Sequence, residues 1–135
     1  MGGIMEHIVR LHNCLPGSVT GTELTVYALL AGLGGKTGIS LTSVRRIAAA
    51  LHFSPTTVFR ARRGLKTKGL LRSVPGRSPE DPFEYRVSSP PKKDYFCVPG
   101  AAILYCAGNA FLVLAYLHCR ANYLGLSYQI GRAHV

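Results

Sequence analysis

Ser54-Pro55 lies two residues after one apolar-periodic run and opens another, and this junction constrains the fold more than any other feature of the chain. A Ser side chain accepts from the unpaired N–H groups of a helix start, and Pro suits the first helical position because its missing N–H would have no partner there. Upstream, Val44, Ile47, Ala48 and Leu51 share one helical face, with Thr42 as the expected cap. His52-Phe53 then forms a turn. Downstream, the helix opened by Ser54 runs to about Lys68, where Gly69 stops it. Two helices are therefore held end to start with almost no loop between them.

The flanks extend the pattern. Residues 22–33 predict an earlier helix, capped by Thr22, with Val26, Leu29, Leu30 and Leu33 on its buried face and Gly34, Gly35 and Gly38 at its end. Residues 39–41 suit a short strand. Residues 70–74 and 83–87 read as two more strands around a polar, turn-rich loop at 75–82. The expected class is mainly α with a small β-hairpin wing, an α+β fold. The expected divisions are an entry segment at 1–19, the main domain at 20–87, and a linker at 88–94.

This order resembles the winged helix-turn-helix of plasmid and phage replication initiators and related bacterial regulators. The resemblance rests on Ile47-Ala48-Ala49-Ala50-Leu51-His52-Phe53-Ser54-Pro55-Thr56-Thr57-Val58-Phe59-Arg60-Ala61 and the following Lys68-Gly69-Leu70-Leu71. It covers residues 20–87. It implies a recognition helix at about 54–68 in the major groove of double-stranded DNA, with the wing at 75–82 beside it. The implied role is replication initiation or transcription regulation in a bacterial cytoplasm.

The residues support that expectation physically. Val58, Ala61 and Leu65 can face a core, which leaves Ser54, Thr56, Thr57, Arg60 and Arg63 pointing outward. Arg can bond guanine in bidentate fashion, and a Thr methyl can touch thymine. The candidate DNA-binding residues are Ser54, Pro55, Thr56, Thr57, Arg60 and Arg63 on the third helix. Ser43 and Arg46 on the second helix are expected at the phosphate backbone, and Arg77 at the wing tip in a minor groove or on a phosphate. Two residues break the pattern. Arg62 stands where an apolar residue is expected, and Gly64 lies inside the helix, which is expected to bend or end near Arg63.

Charge points the same way. The chain has 16 Lys and Arg against 6 Asp and Glu, a formal net charge of +10. Arg45, Arg46, Arg60, Arg62, Arg63, Lys66, Lys68 and Arg72 crowd a stretch that holds no Asp or Glu. A solvated surface more often mixes both signs, whereas a one-sign stretch fits a polyanion.

The chain also repeats itself. At an offset of 87 positions, residues 24–41 align with 111–128 without gaps. Val26/Val113, Ala28/Ala115, Leu30/Leu117, Gly38/Gly125 and Ser40/Ser127 are identical, and Val9-Arg10-Leu11 meets Phe96-Cys97-Val98 as an apolar-framed strand. Residues 95–129 therefore read as an incomplete second winged-helix copy, whose helix begins at a capping Asn109. Leu112, Leu114, Tyr116 and Leu117 are expected to stay exposed or to pack on the first domain. Residues 130–135 resemble the translated start of a sequencing-adapter oligonucleotide, so the natural sequence is expected to end near Gln129 and the chain to be a fragment.

Other classes find little support. Cys14, Cys97, Cys106 and Cys119 are scattered, and neither His118-Cys119 nor His12 with Cys14 has zinc-ligand spacing, so no metal or cofactor is expected. No phosphate loop, GxSxG or HExxH motif occurs, and no catalytic residue or small-molecule substrate is expected. Glu80-Asp81 reads as a solvated pair in the wing loop. Two alternatives stay open. One is a winged-helix protein-interaction module without DNA binding. The other is a membrane-anchored regulator using the apolar run 96–117, although Pro99, Gly100, Gly108 and Asn109 interrupt that run. Homodimerisation is also open.

Overall fold

The computed structural model describes residues 8–74, 83–88 and 92–123. The loop 75–82, and Arg77 with it, lies outside the described residues, as does the tail 130–135. In chain order the elements are β1 (Ile8–His12), α1 (Gly21–Gly34), β2 (Ile39–Thr42), α2 (Val44–Leu51), α3 (Pro55–Thr67), β3 (Arg72–Val74), β4 (Phe83–Arg86), β5 (Tyr95–Pro99), α4 (Gly100–Tyr105) and α5 (Asn109–Tyr123).

Helix α1 is the centre of the molecule. Its cap is Thr20 rather than the expected Thr22. Thr20 Oγ1 accepts from the Glu23 N–H at 3.2 Å, and the Thr20 N–H donates to Glu23 Oε1 at 3.0 Å. Only Thr20 has a glutamate three residues on, and that spacing lets both free donors be satisfied at once. The helix is also buried on more than the expected single stripe: Leu24, Tyr27 and Ala28 are buried along with Val26, Leu29 and Leu30. A helix that is apolar all round needs cover on every side. Helices α3 and α5 and the strands β1 and β2 supply it.

The strands form two small sheets. β2, β4 and β3 lie in that order, all antiparallel. β1 pairs antiparallel with β5, in a register that sets Val9 against Val98 and Leu11 against Phe96, all four buried. Residues 95–123 close the sheet begun by the entry segment, and Ile103, Phe111 and Ala115 join the same core as α1 to α3. The run 96–117 is a strand followed by two helices, and among the described residues no helix is long and apolar enough to cross a membrane.

Local chemistry explains the remaining boundaries. Ser43, not Thr42, caps α2, since its Oγ accepts from the Arg46 N–H at 3.1 Å while Thr42 completes β2. α3 ends in a closed turn. Gly69, at φ +75, lets the Leu70 N–H reach Leu65 O at 2.9 Å and its own N–H reach Lys66 O at 3.0 Å. That turn takes up Leu70, so β3 begins at Arg72 instead of at residue 70. Gly38, at φ +70, sits where a Cβ would overlap the Val87 carbonyl oxygen, and its own carbonyl accepts from the Val87 N–H at 2.8 Å. Helix–turn–helix with a strand-pair wing makes this a winged helix-turn-helix, α+β fold.

The turn between α2 and α3 rests on His52, which takes the left-handed conformation at φ 58, ψ 35. A side chain there costs about 1 kcal/mol that glycine does not. His52→Gly should therefore raise the unfolding free energy by about 1 kcal/mol, seen as a higher denaturant midpoint at unchanged slope. An unchanged or lower midpoint would show that the imidazole contributes more than the strain.

Candidate DNA-binding surface

Helix α3 starts where the sequence places it. Ser54 Oγ accepts from the Thr57 N–H at 3.2 Å and lies 2.8 Å from Thr57 Oγ1, with Pro55 at the first helical position. Val58, Ala61 and Leu65 are buried and fix which way the helix faces. The opposite side carries Thr56, Arg60, Arg63 and Thr67, all exposed and spaced four, three and four residues apart, which aligns them in one stripe along the helix. Ser54 and Pro55 are exposed at its N-terminal end. Thr57 is half-buried, with its hydroxyl engaged by Ser54, so it belongs to the cap more than to the stripe.

On α2, Arg46 is exposed as expected. Ser43 is not: it is 3% exposed and its hydroxyl is committed to the cap, which corrects its expected place at a phosphate backbone. Arg77 lies outside the described residues. Two basic residues of the wing were missed as site candidates. Arg72 and Arg86 stand directly opposite each other on β3 and β4 and are both exposed, with Arg86 held by Glu84 at 2.8 Å. The signal was available in strand alternation. Tyr85 is apolar and inward, which turns Glu84 and Arg86 outward.

The two residues that break the pattern turn out to position the helix. α3 runs through Gly64 to Thr67 without ending at Arg63. The glycine is there for Glu23 of α1: a Cβ on Gly64 would overlap Glu23 Oε2. With that space free, the Glu23 carboxylate approaches α3 and pairs with Lys68 at the helix end. Glu23 is 8% exposed, and a carboxylate so covered is tolerated because it holds a lysine and a backbone N–H. Lys68 is thereby engaged by Glu23 while its side chain stays 38% exposed.

Arg62 is half-buried rather than misplaced. Its guanidinium lies over the Phe59 ring, 5.1 Å from the centroid, and beside the Tyr85 hydroxyl. The long stem packs as an apolar residue would, while the head bridges α3 to β4. Burial pushes the Tyr85 phenol above its ordinary pKa of 10.0, and the hydrogen bond and charge of Arg62 act against that rise. Among the described residues no group of three or more His, Cys, Asp or Glu could hold a metal.

Two outcomes follow from this packing. Gly64→Ala should destabilise the fold by about 1–3 kcal/mol even though alanine favours helices. Adding Glu23→Ala should then cost less than it does alone, a non-additivity read in a double-mutant cycle by chemical denaturation. Additive effects would show that the two residues do not meet. In alkali, the raised phenol of Tyr85 means that the unfolded chain ionises first. Stability is then complete below pH 10 and falls as pH rises through the folded value. Tyr85→Phe should flatten that fall in a pH series of thermal melts, and an unchanged slope would contradict the assignment.

No curated protein and no solved structure matches the chain. Residues 19–71, which run from the approach to α1 through α3 to the start of the wing, match the family model described as a helix-turn-helix domain, a DNA-binding module.

Proposed function

We propose that this protein binds double-stranded DNA in a sequence-specific manner, with α3 in the major groove and the wing against the backbone. The carrying observation is the exposed stripe of Thr56, Arg60, Arg63 and Thr67 on a helix whose other side is locked into the core. An α-helix fits the major groove, and Arg and Thr are residue types that read base edges there. Ser54 and Pro55 present the helix N-terminus, which favours a phosphate. Arg46 on α2 and Arg72 and Arg86 on the wing strands add exposed positive charge, and Arg77 is the further phosphate contact in this reading. The role served is plasmid or phage replication initiation or transcription regulation, in the cytoplasm.

The test uses the full chain, because β5 completes the sheet that begins at β1. Affinity for duplex DNA should fall steeply as salt rises, since Lys and Arg displace counterions from phosphates. Arg60→Ala should cost about 1–3 kcal/mol on the preferred site and relax the preference at one base pair. Arg77→Ala should weaken all sequences more evenly. No gel shift at low salt would leave the fold to a protein-interaction role. Preference altered by Arg77→Ala alone would reverse the roles of helix and wing.

A further inference from the structure

The wing sheet has an open side. Its strand order is β2, β4, β3, so among the described residues β2 has a strand partner on its β4 side only. The register shows which backbone groups face the other way. The Val87 N–H donates to Gly38 O at 2.8 Å, one position before the Ile39–Arg86 pair. Antiparallel pairs alternate between hydrogen-bonded and non-hydrogen-bonded. Ser40 and Thr42 therefore direct their backbone groups at β4, and Ile39 and Leu41 direct theirs at the open side. Thr37 Oγ1 accepts from the Ile39 N–H at 3.2 Å. The Leu41 N–H and the carbonyls of Ile39 and Leu41 are left to face outward.

A bare edge is a template for pairing with another chain, and most proteins guard it with a charge or a proline. β2 carries neither. It reads Ile39-Ser40-Leu41-Thr42, with Ile39 41% and Leu41 70% exposed. Along this strand runs a groove of about 1060 Å³, lined on its other sides by Leu33 of α1, Ala49 and Ala50 of α2, and Leu104 of α4. Two polar features indicate what the groove accepts. Arg46 is exposed, is anchored through its N–H to Ser43 beside the end of β2, and is the single charged residue lining the groove among those described. Ser40, 7% exposed, also lines it, and its hydroxyl has no hydrogen-bond partner among the described residues. A strand laid beside β2 sets a side chain across from Ser40 on the same face, where a hydroxyl can bond it, and apolar side chains across from Ile39 and Leu41. A carboxylate on that strand beyond Thr42 meets Arg46. A second copy of this chain lacks that carboxylate. A two-fold contact sets one face against the same face, and no Asp or Glu lines the groove among the described residues.

We propose that the open edge of β2 is a docking site for an extended acidic segment of another protein, which joins the wing sheet as a further strand and pairs a carboxylate with Arg46. None of the described lining residues lies on α3, so this proposal and the DNA reading can fail separately. The isotope-labelled full chain is titrated with synthetic peptides of alternating valine and threonine, carrying glutamates at one end or the other. Affinity is read together with hydrogen exchange at the Leu41 amide. In the free chain that amide should exchange freely, and saturating peptide should slow it about tenfold. Arg46→Gln should weaken binding about fivefold, and lysines in place of the glutamates should weaken it at least as much. Ala49→Trp, at an exposed position on α2, should fill the groove and abolish binding. No binding, or binding that leaves exchange at Leu41 unchanged, overturns the proposal. Equal affinity for the glutamate and lysine peptides does so too. A Leu41 amide already protected before peptide is added also overturns it, and sedimentation of that sample then tells whether a second copy or the chain itself holds the edge.

Discussion

The Glu23 carboxylate is where the start of α1 and the end of α3 are fastened together. It caps α1 by accepting from the Thr20 N–H, fills the space that Gly64 leaves open, and holds Lys68. A carboxylate removed from water is costly unless its oxygens find donors, so each of these contacts supports the others. The result is directional. α3 meets α1 at one rotation and one height, and the stripe of Thr56, Arg60, Arg63 and Thr67 is the side left over. The exposed surface of the helix is thus set by a buried charge on a different helix.

A second fastening ties α3 to the wing. Arg62 lies on Phe59 and reaches Tyr85 in β4, whose neighbours Glu84 and Arg86 point outward. Helix α3 and the wing strands are therefore braced against one another as well as against α1. Phosphate contacts position a protein on DNA and base contacts specify the sequence, and both need a fixed spacing between the groups that make them. Arg72 and Arg86 on the wing strands share one rigid frame with Arg60 and Arg63.

Much of this was legible because its causes are local. Ser54-Pro55 opens α3, Gly69 closes it, and Val58, Ala61 and Leu65 turn its other side outward, all from spacings of a few residues. The errors came where the choice of partner, near or far along the chain, decides what a side chain does. Thr22 was a reasonable cap until Glu23 was seen to serve Thr20, and Ser43 looked like a phosphate ligand until its hydroxyl was found capping α2. Gly64 looked like a helix breaker because Glu23, far away in sequence, gives it its purpose. The repeat was visible in the sequence, but the pairing of β1 with β5 was not. Strands so far apart carry no local sign of which will be neighbours.

The central claim is that the exposed stripe of α3 and the adjoining wing face form a DNA-reading surface. Amide chemical shifts of the isotope-labelled full chain, followed while duplex DNA carrying its preferred site is added, test this most directly. The account predicts that the largest changes fall on Ser54 to Thr57, Arg60, Arg63 and Thr67, with a second group at Arg72 and Arg86, while Val113 to Leu117 stay unmoved. Changes concentrated on α5, or spread evenly over every basic residue with no focus on α3, would contradict it.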